Sequence, residues 1–200
     1  MRRSSYRHEE ITSVAVELAE RHGVPGVTTA ALARRLKFTE AALYRHFPGK
    51  AAILAAALQY LADRLLATML IEMAPDAAPD VDEARRQLER HARRFGANGG
   101  LLLEFLLQAS TARSSELKDA GSAFLREYFL RLETYFTHLQ NAQAATTSLP
   151  ATELTRLWVC QLMGGFVRNR LMDERWDPVD QPGFVAFCAG LAPHEVAASE

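Results

Sequence analysis

Cysteine is nearly missing from this chain. Two in 200 residues, Cys160 and Cys188, cannot form a disulfide framework or, by themselves, a four-ligand zinc site. Reduced thiols and a cytoplasmic location are the expectation. Proline and glycine are sparse, at 8 and 11, and cluster at junctions, which excludes a low-complexity or turn-rich all-β chain. No apolar run reaches the eighteen-odd uninterrupted residues of a spanning helix, and MRRSSYRHEE has no apolar stretch of the signal-peptide kind, so no membrane association is expected. H-E-x-x-H, G-x-S-x-G and a phosphate-cradling glycine loop are all wanting, and the six histidines are dispersed. Neither enzymatic activity, nor a metal, nor a cofactor is expected.

What is abundant is alanine and leucine, with 48% of residues hydrophobic. That predicts an all-α protein, and the periodicity along the chain divides it into about nine helices. The net charge of −1 hides an asymmetry. Residues 1–50 hold nine Lys/Arg against five Asp/Glu, and the remainder fourteen against nineteen. A basic end on an acidic body suits a nucleic-acid partner, although a solvated helical face can carry as much charge.

The most informative stretch is 28–50, TTAALARRLKFTEAALYRHFPGK. Thr28 and Thr39 can each cap a helix. Leu32 and Leu36 share one helical face, and Ala42, Leu43 and Phe47 share another. Pro48-Gly49 stops the second helix. Two short helices with about three residues between them match the helix-turn-helix plan, whose second helix enters the major groove of double-stranded DNA. Outward residues of that second helix would be Thr39, Glu40, Ala41 and Tyr44, with His46 near its end. Thr28, Thr29, Arg34 and Lys37 flank it. Lys50 opens a further helix, where a lysine and free backbone N–H groups can both meet a phosphate.

The run VTTAALARRL followed by TEAALYRHFPGK resembles the DNA-binding signature of the TetR family of bacterial transcriptional regulators, from about Arg7 to Leu58. The resemblance implies an N-terminal three-helix DNA-binding domain, residues 1–50, and a C-terminal helical ligand-binding and dimerisation domain, residues 51–200. It further implies a ligand-responsive repressor acting as a homodimer on a palindromic operator. The run EAALYRHFP is also similar to TetR-type nucleoid-occlusion factors, which contact the cell-division polymer protein. Two positions depart from the family spelling. Lys37 stands where glycine is usual, at a site that often needs a left-handed backbone costing a non-glycine residue roughly 1 kcal/mol. Gly49 stands where serine is usual, so a side-chain cap is lost.

Around this unit the periodicity predicts further helices. The first, about Tyr6–His22, carries Ile11, Val14, Ala15 and Leu18 inward, after a basic arm at 1–6 that either reaches DNA or is a loose tail. Residues 49–73 form a broad-faced helix that would link head to body as a rod. A helix over 81–96 would hold Arg85, Arg86, Arg90 and Arg93 mostly outward and would break at Asn98-Gly99-Gly100. The apolar helix that follows contains Glu104, which would face solvent, meet an arginine or line a cavity. Helices over 115–141, 150–173 and 180–191 complete the chain.

His91, Phe95, Phe105, Tyr128, Phe129 and Leu132 are candidates for lining a pocket for a small apolar effector, although core packing explains each residue as well. By the family resemblance the last two helices would pair across a dimer. Trp158, Gln161, Leu162, Gly165, Phe166 and Phe184 are the candidate interface residues.

Overall fold

The computed structural model describes residues 2–73, 80–145 and 147–172. Those residues are all-helical apart from short connections. The elements are α1 (Arg2–His22), a 3-10 turn (Val24–Gly26), α2 (Thr29–Leu36), α3 (Glu40–Tyr44), α4 (Lys50–Glu72), α5 (Val81–Thr111), α6 (Ser115–Asn141) and α7 (Ala151–Met172). The helix expected over 180–191, with Phe184 and Cys188, lies outside the described residues.

The described residues form two compact units. The first comprises residues up to Leu65 together with Leu101–Arg126, and the second Leu66–Gly100 together with the described residues from Glu127 onward. In the first, α1 buries Ile11, Ala15, Val16, Leu18 and Ala19. Val14 stays half-buried, so the inward stripe is rotated slightly from the expected one. The helix starts at Arg2, four residues before its expected start, because nothing in RRSS breaks it. Gly23 ends it at φ +70, a conformation that L side chains rarely adopt, and the Glu104 carboxylate lies 3.6 Å from where its Cβ would be. Glu104 is half-buried there rather than fully solvated. Gly121 of α6 lets three helices meet closely. A Cβ there would lie 3.2 Å from Ala109 of α5 and 3.9 Å from Leu58 of α4.

By length and composition Lys50–Ile71 of α4 could cross a membrane. Its Ile53, Leu54, Ala57, Leu58 and Ala62 are buried in the protein, and Asp63 and Arg64 interrupt it. It is a core helix by this pattern, more apolar than the run-length reading suggested.

The second unit corrects two expectations. No break occurs at Asn98-Gly99-Gly100: α5 is one helix of 31 residues. Its glycines are contact points. A Cβ on Gly99 would sit 2.8 Å from the Phe95 ring, and one on Gly100 would sit 2.3 Å from the Phe166 ring of α7. A helical glycine costs roughly 1 kcal/mol, whereas full burial of an aromatic ring, as at Phe95, returns about 1.5–3, and the half-buried Phe166 returns less. Arg85, expected outward, is 7% exposed and donates to Asp82 at 3.1 Å. Arg86 and Arg90 do face outward, and both engage Glu83 at 2.9 Å. Tying α6 to its neighbours are Arg131, which donates to the Leu66 carbonyl at 2.8 Å, and the Tyr135 hydroxyl, which donates to Gln87 Oε1 at 2.8 Å.

Candidate nucleic-acid interface

The first helix of the pair is fixed at both ends by local chemistry. Thr28 Oγ1 accepts from the Ala31 N–H at 3.1 Å. At the other end Lys37 adopts φ 57, ψ 40, and the Phe38 N–H reaches back to the Ala33 carbonyl at 2.8 Å. This is the left-handed helix stop that the sequence suggested, held here by a lysine. Residues 37–39 make the turn. Thr39 Oγ1 then accepts from the Ala42 N–H at 3.2 Å and starts α3. Leu43, 1% exposed, anchors the inner side of α3, and Phe47, 3% exposed, anchors the chain after it.

The outer side of α3 is open. Thr39, Glu40, Ala41 and Tyr44 are exposed, Tyr44 by 53%. Thr28, Arg34, Lys37 and Lys50 are exposed as well, while Thr29 and His46 are half-buried. Sequence reasoning omitted Arg45, which is exposed directly after Tyr44. Its signal was the L-Y-R-H-F run itself. Arg35 is exposed but engaged: it donates to Glu17 at 2.9 Å, and Arg21 pairs with the same carboxylate. Those bonds, Arg35's foremost, hold the Glu17 carboxyl below its ordinary range. No ion pair within the described residues engages Arg34, Lys37, Arg45 or Lys50. Unpaired cations around a protruding short helix are the arrangement that phosphate contact requires.

Residues proposed for other roles lie in both units. His91, Phe95 and Tyr128 come together in the second. His91 Nε2 is 2.8 Å from the Tyr128 hydroxyl, Phe95 stacks near Tyr128, and Trp158 stacks near His91. Burial, then the charge of Arg94, pushes the His91 pKa down to about 4, and burial pushes the Tyr128 hydroxyl up. Leu132 is buried and Phe129 half-buried in this unit, whereas Phe105 belongs to the first. A separate half-open groove of about 210 Å³, with Met69, Met73, Leu130 and Tyr135 in its wall, contains none of these six residues.

On α7, Trp158 and Leu162 are 1% and 4% exposed, and Gly165 is also buried, so all three face the protein's own core. Gln161 and Phe166 are half-buried. The outward stripe is a different one: Leu157, Cys160, Gly164, Val167 and Leu171. Among the described residues no group of three His, Cys, Asp or Glu side chains could hold a metal ion.

Residues 11–57 match the family described as bacterial regulatory proteins, tetR family. A nucleoid occlusion factor SlmA from Vibrio atlanticus is 35% identical over 201 residues, covering 96% of each chain. Among solved structures, a TetR transcription regulator from Haloarcula marismortui superposes with TM-score 0.75 at 19% identity, covering 92% of this chain and 97% of that one. The regulator FadR from Bacillus subtilis in complex with stearoyl-CoA gives 0.70 at 15%, covering 94% and 100%. With its helix-turn-helix face and its whole-length relatives, this chain belongs to the TetR family of DNA-binding bacterial regulators.

Proposed function

We propose that the protein is a homodimeric repressor that reads a palindromic operator through α3 and leaves it when a small apolar effector binds the body. Residues 1–50 act as the head and 51–200 as the ligand-binding and dimerisation part, working in the cytoplasm at the nucleoid. The observation that carries the DNA-reading role is the exposed Thr39–Tyr44 face surrounded by unengaged Arg34, Lys37, Arg45 and Lys50. A two-fold protein presents two such helices, hence two half-sites.

The outward stripe of α7 supports pairing. Its residues 157, 160, 164, 167 and 171 follow the alternating three-and-four spacing of a helix–helix seam. Among the described residues a Cβ at Gly164 would meet nothing within 4 Å, so their packing does not call for glycine there. A partner helix approaching closely does. For the effector, His91, Phe95 and Tyr128 bring two aromatic rings and a neutral imidazole together in the buried interior of the second unit, a setting that suits an uncharged or apolar molecule. The FadR relative in fold, which binds stearoyl-CoA, supports this only by architecture.

Filter-binding across a salt series tests the DNA reading. The probe is a duplex selected from a random pool by the unsubstituted protein. Lys50→Ala is expected to weaken binding to every sequence and lower the salt slope by about 1, because one phosphate contact is gone. Tyr44→Ala is expected to reduce preference for the selected duplex. Unchanged binding in Lys50→Ala would sink the proposed phosphate-contact role.

A second reading is favoured by the similarity along 96% of the chain to a nucleoid occlusion factor. Here the body would contact a division polymer while the head holds DNA. Co-sedimentation with division filaments in the presence of the selected duplex separates the two: DNA-dependent pelleting selects occlusion, and release of DNA by a bound apolar compound selects repression.

A further inference from the structure

The reading helix α3 is five residues long. Helices shorter than about 12–15 residues are marginal alone, so its direction must come from its surroundings. Thr39 and Leu43 account for its start and its inner side. Its two flanks are aromatic. Phe38 lies just before the Thr39 cap, and Phe47 lies three residues after Tyr44. Consecutive residues of α1 cover both. The Arg7 guanidinium carbon is 5.3 Å from the centre of the Phe38 ring. The His8 ring is centred 3.8 Å from the Phe47 ring, tilted by 32°. His8 Nε2 is also 2.8 Å from the His46 carbonyl oxygen. A carbonyl can only accept, so Nε2 carries the hydrogen and donates it. That carbonyl belongs to the turn leading from α3 to Lys50.

We propose that Arg7 and His8 are positioning residues for DNA reading. Side by side on α1, they grip the turn before α3 and the turn after it, and so fix the aim of Tyr44. The proposal rests on α3 being the reading helix. Neither residue has to touch DNA for this role. For Arg7 the competing role is a direct phosphate contact, and charge separates the two: a grip on Phe38 needs the flat guanidinium, whereas a phosphate accepts any nearby cation.

The test uses the full chain, the selected duplex, a scrambled duplex and a salt series, with a thermal melt of each variant. Both side chains are exposed, so folding should survive their replacement. His8→Ala is expected to weaken selected-duplex binding by about three- to tenfold, on the order of one lost hydrogen bond and one ring contact. Scrambled-duplex binding and the salt slope should hold, because no phosphate contact is removed. His8→Phe keeps the ring and loses the donor, and should recover part of the loss. Arg7→Lys should lose discrimination by about twofold or more with the slope intact, since the charge stays and the flat face goes. Three results overturn the proposal. One is an Arg7→Ala slope lowered by about 1 and restored by Arg7→Lys, which marks a phosphate contact. Another is His8→Ala shifting both duplexes equally, or neither. The third is Tyr44→Ala leaving discrimination untouched, which removes α3 as the reader and the grip with it.

Discussion

The head and the second unit handle polar groups in opposite ways. Around α2 and α3 the side chains that matter are at the surface: Thr28 and Thr39 close helix ends, and four cations have no ion pair among the described residues. In the second unit polar groups are turned inward. His91 bonds Tyr128, Tyr135 bonds Gln87, and Thr155 Oγ1 and Trp158 Nε1 are buried with no hydrogen-bond partner among the described residues. Outward polarity leaves the head available to an anionic partner. Inward polarity makes the second unit sensitive to protonation and packing. Each contrast can be broken by experiment.

The largest effect is expected where the second unit faces outward after all. If Leu157, Val167 and Leu171 form a dimer seam, Val167→Glu places a charge in it. Sedimentation should then show monomer, and affinity for a two-half-site duplex should fall by roughly 10²-fold or more, because the second head loses its tether. A dimer that survives Val167→Glu would move pairing elsewhere.

Next comes the buried imidazole. In the folded chain His91 has its pKa lowered to about 4 from an ordinary 6.5. Between those values the unfolded chain holds a proton that the folded one refuses. Stability is therefore full above about pH 6.5, falls as pH drops, and levels off below about 4. The loss is on the order of 3 kcal/mol, at 1.36 per unit. His91→Gln can still meet the Tyr128 hydroxyl without titrating. Urea unfolding at pH 7 and pH 4 should show a smaller difference in that variant than in the unsubstituted protein, and equal differences would remove His91 as the cause.

These contrasts explain what could be read from the chain alone. The caps at Thr28 and Thr39 and the left-handed Lys37 were legible because each depends on residues no more than five positions away. Ile11, Leu32 and Leu43 were legible from spacing. The continuity of α5 was not, because Gly100 reads as a helix breaker until the Phe166 ring from α7 is seen resting on it. Trp158 was suggested for a dimer surface, but its face of α7 is the one α5 covers through His91. The His8 contact with His46 was equally hidden, since 38 residues separate the partners. Local chemistry shows in sequence, whereas the choice of a distant partner does not.

A smaller effect tests whether the head keeps a strained lysine for its charge. Lys37→Gly should relieve the left-handed backbone and stabilise the fold by roughly 0.5–1 kcal/mol, after allowing for glycine's greater freedom when unfolded. The same change removes an exposed cation beside α3. Binding to the selected duplex should weaken and the salt slope should fall by up to about 1. Greater stability with unchanged DNA affinity would show that the charge serves no contact.

The smallest effect concerns the start of α4. Gly49 precedes Lys50, its carbonyl accepts from the Ile53 N–H at 3.3 Å, and a Cβ there would meet nothing within 4 Å. The position is a helix cap without a capping side chain. Gly49→Ser adds a hydroxyl that can accept one of the unpaired first-turn N–H groups, as Thr28 and Thr39 do for their helices. Glycine is itself tolerated at caps, so the gain should be only a few tenths of a kcal/mol. Thermal melts of Gly49→Ser and Gly49→Ala separate the causes. Serine above alanine means a cap has been supplied, whereas equal gains mean that only backbone freedom was removed. DNA affinity is the second readout. The same N–H groups lie beside Lys50, where a phosphate would sit. If the glycine keeps them free for DNA, serine will stabilise the fold and weaken binding together.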